Sequence, residues 1–188
     1  MIAQTWHLLT PPILTLLDSS STSYRSRGLN LLSQFLPKFS PATLAQTGLG
    51  PVFEDAVMPT LMFLPSLTPV EESVVLLPAA YGALRALGDV LFNQKLQEVR
   101  GGKGREKDEI GNEGKQDKDV ENKLWDRVMR KGVLPGYAHA NEYPSIVQLL
   151  ITELGTIIQK MGVHGVKHLK VYSPNPISNI HTSSFINK

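Results

Sequence analysis

The residues of this chain that could do chemistry are few, and each has a structural use close at hand. Asp18 and Arg25 flank the polar turn "DSSSTSYR". A carboxylate and a guanidinium so placed can form a charge-assisted, bidentate pair. No base or nucleophile accompanies them, so the pair reads as a structural link between stacked helix pairs. His164 and His168 stand four apart, the spacing that puts two metal ligands on one helix face. A structural zinc takes four ligands and a catalytic one usually three. No third ligand has a recognisable spacing here, and solvated or helix-terminal histidines are the plainer reading. "GGKGRE" shares only its glycines with a phosphate loop, because it lacks the hydroxyl residue and the preceding strand. Glu54-Asp55 and Glu71-Glu72 suit the first turns of helices, where the dipole favours negative charge.

Binding offers a clearer candidate than catalysis. Trp125, Arg127 and Arg130 form an anchor group on an amphipathic helix, residue types enriched at interface hot spots. Trp125 as an ordinary core residue is the competing reading. There is no cysteine, which removes disulfides, thiolate metal sites and cysteine nucleophiles together. A net charge of +2 calls for no nucleic acid, and no apolar stretch is read as long enough to span a membrane. The N-terminal "MIAQTWHLLTPPILTLL" lacks a basic leader and is broken by prolines, so it is not read as a signal peptide. The expected location is the cytoplasm, with the nucleus as a second compartment.

These residues need elements to position them, and prolines punctuate those elements. One apolar helix carries Pro11 and Pro12 and runs to Leu17; a second is expected from about Tyr24 to Phe39, with Leu29, Leu32, Phe35 and Leu36 at helical spacing. Ser40-Pro41 opens a short helix. Pro51 and Pro69 are expected at first helical positions, with Thr68 and Glu71 forming a capping box. Pro59 falls inside a helical pattern and should bend it. Laying "PPILTLLD" on "MPTLMFLP" pairs Pro12 with Pro59 at an offset of 47 residues, near the period of HEAT-type helix pairs. The wide apolar face Val74, Leu77, Tyr81, Leu84, Leu87 and Leu91 suits a helix packed on two sides.

Residues 100–119 hold six basic and six acidic residues and five glycines, and are expected to form a disordered loop. Beyond it, a helix with Leu124, Trp125, Val128 and Met129 should end near Lys131-Gly132. Another, "YPSIVQLLITELGTIIQKMG", shows Val147, Leu150, Ile151, Leu154, Ile158 and Met161 on one side and Gly162 as a stop. "VYSPNPISNIHTSSFINK" has no periodicity. The expected fold is all-α: a HEAT-like α-solenoid of two to three helix pairs over residues 1–170, interrupted by the loop, with a disordered tail at 171–188.

Three segments carry a family resemblance: "LLTPPILTLLDSSSTSYRSRGLNLLSQFL", "TGLGPVFEDAVMPTLMFLPSLTPVEES" and "LGTIIQKMGVHGVKHLK". Together they resemble the Tel-two-interacting protein two family, a subunit of the Triple-T co-chaperone complex. The resemblance implies a non-enzymatic scaffold without cofactors. Its implied partners are the large HEAT subunit of that complex and, through it, the Hsp-ninety chaperone and the phosphatidylinositol-kinase-related kinases that it matures and stabilises. Pro12, Asp18, Arg25, Gly28 and Pro59 are the expected structural repeat positions. The resemblance stops at Lys170, and the reading is of a truncated member whose last residues are translated non-coding sequence. A generic HEAT adaptor for transport or signalling is the alternative, and an enzyme with an illegible site the third reading.

Overall fold

A computed structural model of the chain describes residues 2–93 and 121–169. The expected loop at 100–119 and tail at 171–188 lie outside them. Among the described residues every regular element is helical.

The first helix, α1 (Ile2–Leu17), contains both Pro11 and Pro12. Each proline deprives a carbonyl one turn back of its donor. Pro11 and Pro12 are exposed, as are His7 and Leu8 one turn earlier, so water can satisfy those carbonyls. Ile13 and Leu17 point into the core. After the polar turn, α2 (Thr22–Phe35) buries Leu29, Leu32 and Phe35 and then tightens into a 3-10 turn, Leu36–Lys38, around Pro37. Helical structure thus starts and stops slightly earlier than expected. Gly28 allows α2 to press on α1: a Cβ there would lie 2.7 Å from Leu16 Cβ and 3.2 Å from the Leu17 nitrogen.

Ser40 caps α3 (Pro41–Thr47), its hydroxyl accepting from the Thr43 N–H at 3.1 Å. The next helix, α4 (Leu49–Val57), begins two residues before Pro51. Pro59 does not bend a continuing helix. The α-helix stops at Val57 and the chain closes into a 3-10 turn, Met58–Met62, because the missing Pro59 N–H leaves one α-type bond unmade. Pro12 and Pro59 therefore occupy unlike local structures, although α1 stands before α2 as α4 and its 3-10 turn stand before α5. The expected capping box is also absent. α5 (Val70–Gly88) starts after Pro69, whose carbonyl accepts from the Glu72 and Ser73 N–H groups, and no side chain caps it. Of the apolar face expected on α5, Leu77, Tyr81, Leu84 and Leu87 are buried, while Val74 is exposed.

The helix α6 (121–128) does not end at Lys131-Gly132 as expected. It passes through a π turn, Met129–Val133, with Gly132 buried, into α7 (Leu134–Ala140). Tight burial of Gly132 removes the solvent-exposed setting in which a glycine stops a helix. After a short turn comes α8 (Pro144–Met161), ended by Gly162 at φ 56 as expected of a glycine stop. A 3-10 turn, Gly162–Gly165, leads into the short α9 (Val166–Leu169). The buried stripe of α8 is Ile146, Leu150, Glu153, Ile157 and Met161, so the expected face is rotated, and Ile151 points outward.

The elements pack as three successive helix pairs. α1 lies on α2, α4 with its 3-10 turn lies on α5, and α7 lies on α8. The second member of each pair touches the next, α2 against α5 and α5 against α8. First members do likewise, α1 against α4 and Met58–Met62 against Met129–Val133. One continuous core runs through all three pairs, from Ile13 and Leu17 to Ile157 and Met161.

Two helical stretches, Val70–Phe92 and Pro144–His168, are long and apolar enough by length and composition to cross a membrane, which corrects the expectation that none is. Both lie side by side against other helices, and an ion pair joins them. Val70–Phe92 is half buried among the packed helices, and the more exposed Pro144–His168 keeps one face, Ile146, Leu150, Ile157 and Met161, in the core.

Candidate functional site

The anchor group read from the sequence comes apart in the structure. Trp125 is only 1% exposed and belongs to the core. Its indole N–H donates to Glu121 Oε1 at 3.3 Å, and the Lys160 ammonium sits 5.5 Å from the ring centroid. Gly88 makes room for it, since a Cβ there would lie 2.6 Å from Trp125 Cζ2. Of the two readings of Trp125, anchor and core, the core one holds: position 125 faces α5, and an aromatic of this size fills the seam between the second and third pairs.

Arg127 and Arg130 leave α6 in different directions. Arg127 reaches back to α4, with Nη1 2.9 Å from Glu54 Oε1 and Nη2 on Asp55. The hydrogen bond to Asp55 comes first among the influences that raise the Arg127 pKa, with burial working against it. Burial pushes Glu54 above the usual carboxylate range, and Arg127 opposes that rise. Thus the Glu54-Asp55 pair, expected in a first helical turn, lies late in α4 and binds the third pair to the second. Arg130 stays local, its Nε 2.8 Å from Asp126 Oδ2 and its side chain largely exposed.

Asp126 is the hub of this region. Besides Arg130 it meets Lys167 Nζ at 2.5 Å and His168 Nε2 at 2.9 Å, both from α9. Burial works against its ionisation, yet Lys167 and Arg130 together outweigh that effect and hold its pKa below the ordinary value. His168 is 4% exposed, and burial lowers its pKa against the pull of Asp126. His164 is exposed and turned elsewhere, so the two histidines do not share a ligand set. Among the described residues no group of three or more His, Cys, Asp or Glu is placed to hold a metal ion.

The sequence reading missed two links. Arg85 of α5 pairs with Glu153 of α8, whose side chain is 8% exposed. Asp89 accepts from Lys160 at 2.7 Å across the same seam. A carboxylate at 153, spaced to fall in line with Leu150, Ile157 and Met161, was the available signal that a cation would be needed opposite.

At the other end, Arg25 does not pair with Asp18. Its Nε and Nη2 donate to the Ser19 carbonyl at 3.0 and 2.8 Å, and its guanidinium lies 4.5 Å from the Phe63 ring centroid. Burial lowers its pKa, and Asp18 acts only as a nearby charge. The arginine still links successive pairs, through an aromatic face and a carbonyl. Of the other repeat positions, Gly28 lies at the α1–α2 contact, while Pro12 and Pro59 are exposed on their elements.

No solved structure matches this chain. A family model does, and it takes in residues 171–186, so the resemblance does not stop at Lys170 as expected. With the match running over residues 1–186, and three helix pairs carrying the segments that suggested the resemblance, the chain belongs to the Tti2 family.

Proposed function

We propose that this protein is a non-enzymatic scaffold subunit of the Triple-T co-chaperone complex, built as a HEAT-like α-solenoid over residues 1–170. In this reading it binds the large HEAT subunit and, with the Hsp-ninety machinery, helps the phosphatidylinositol-kinase-related kinases to mature, in the cytoplasm and the nucleus. Family membership over residues 1–186 is the observation that carries the proposal. The packing adds support. Helices that repeat the same neighbour contacts, pair after pair, present an extended surface, and such surfaces bind other proteins. The charges gathered at the seams are engaged with one another, as a scaffold requires. Affinity purification of the tagged chain, read by mass spectrometry, tests the reading. Recovery of the large Triple-T subunit is the expected result. Recovery of transport cargo or a small GTPase in its place would overturn it.

A further inference from the structure

Beside the Asp126 hub lies an open depression of about 430 Å³, lined by Lys123, Arg127, Arg130, Lys131 and Lys167 together with Asn122 and Asp126. Five cations face one carboxylate. Glu54 and Asp55 engage Arg127 from outside the depression, and Asp126 engages Arg130 and Lys167. Even with all three carboxylates counted, positive charge is in excess, in a chain whose formal charge is only +2. Lys123 and Lys131 are exposed and stand outside these ion pairs. They lie eight positions apart along α6 and the π turn, about 12 Å at helical rise, which an extended peptide spans in about four residues.

We propose that this depression docks an acidic peptide segment of a partner protein, with anionic groups about three to four residues apart meeting Lys123 and Lys131. The shallow, open shape suits a chain segment better than an enclosed small molecule. Asp126 shapes the specificity. Tied to Arg130 and Lys167, it holds these cations in position while repelling an anion placed too deep. Carboxylates and a phosphorylated serine offer the same oxyanion chemistry. The inference deepens the scaffold reading and rests on it only in that the ligand is a protein; failure to recover the large Triple-T subunit would leave it standing.

Fluorescence anisotropy tests the proposal with the full chain and three short labelled peptides, in which every third residue is glutamate, phosphoserine or glutamine. The glutamate or phosphoserine peptide should bind, more weakly as salt rises, and the tighter of the two identifies the source of the anion. Lys123→Glu/Lys131→Glu should weaken binding tenfold or more. Arg27→Glu/Lys38→Glu, the same change of net charge on exposed positions of the first pair, should leave it within twofold. Lys123→Gln/Lys131→Gln serves if charge reversal unfolds the chain. Equal binding of the glutamine peptide, equal loss in both double variants, or no binding at low salt would overturn the proposal.

Discussion

The first and second helix pairs meet through α2 and α5, and the buried side chains of those helices are chiefly apolar: Leu29, Leu32 and Phe35 on α2, Leu76, Leu77, Ala80 and Leu84 on α5. The contact between the second and third pairs also has an apolar centre, where Trp125 packs on Gly88, but charge borders it. Arg85 meets Glu153, Lys160 meets Asp89, and Arg127 meets Glu54 and Asp55. The difference teaches where each force is useful. The first two pairs are held mainly by shape, with Arg25 over the Phe63 ring as one charged addition. The third pair follows the long charged stretch 94–120 in sequence, and directional pairs fix its position where a non-directional apolar contact would let it slide.

The largest effect should come from the apolar seam. Leu32→Ala is expected to cost about 2–5 kcal/mol in chemical denaturation, independent of salt, because it leaves a cavity at a fully buried site. A loss below about 1 kcal/mol would break the comparison. Gly28→Ala should follow at about 1–3 kcal/mol, since the new methyl meets backbone atoms of α1 that cannot swing aside. At the charged seam, Glu153→Gln should cost about 1–3 kcal/mol by leaving Arg85 without its anion, and the cost should shrink as salt rises. A salt-independent loss would mean that packing alone holds this seam.

Acid should act at the Asp126 hub, where α6 meets α9. His168 has a folded-state pKa below its unfolded value, so the folded state binds the proton less readily. Its contribution is fully present above about pH 6.5 and is lost as pH falls toward the folded value. Asp126, likewise depressed, adds a second loss below about pH 4. Thermal melts should therefore decline from pH 7 to pH 5 in the wild type and decline less in His168→Phe. Identical slopes would remove the histidine from the account. The smallest change is expected from Arg127→Ala, about 0.2–1 kcal/mol, because its partners are partly solvated.

Much of the helical framework was legible in the residues. The Ser40-Pro41 start, Gly162 and the spacing of Leu29, Leu32, Phe35 and Leu36 marked elements that the structure contains, because these signals act within a turn or two, whereas Pro51, Pro59 and Pro69 stand at other helical positions than expected. Thr68 and Glu71 misled: the Pro69 carbonyl takes over the start of α5, and a local motif yields to that competing bond. Gly132 misled for a tertiary reason, since its missing side chain serves a contact with another pair. Trp125 was weighed as anchor and as core, and only the position of Gly88 across the seam decides between them. Glu153, Asp126 and Arg85 carry their meaning in partners remote in sequence, which periodicity does not encode.

Co-expression of this chain with the large HEAT subunit of the Triple-T complex, followed by size-exclusion chromatography, tests the central claim most directly. The two should elute together as a stable, stoichiometric complex. Separate elution of two folded proteins at micromolar concentration would contradict the scaffold reading.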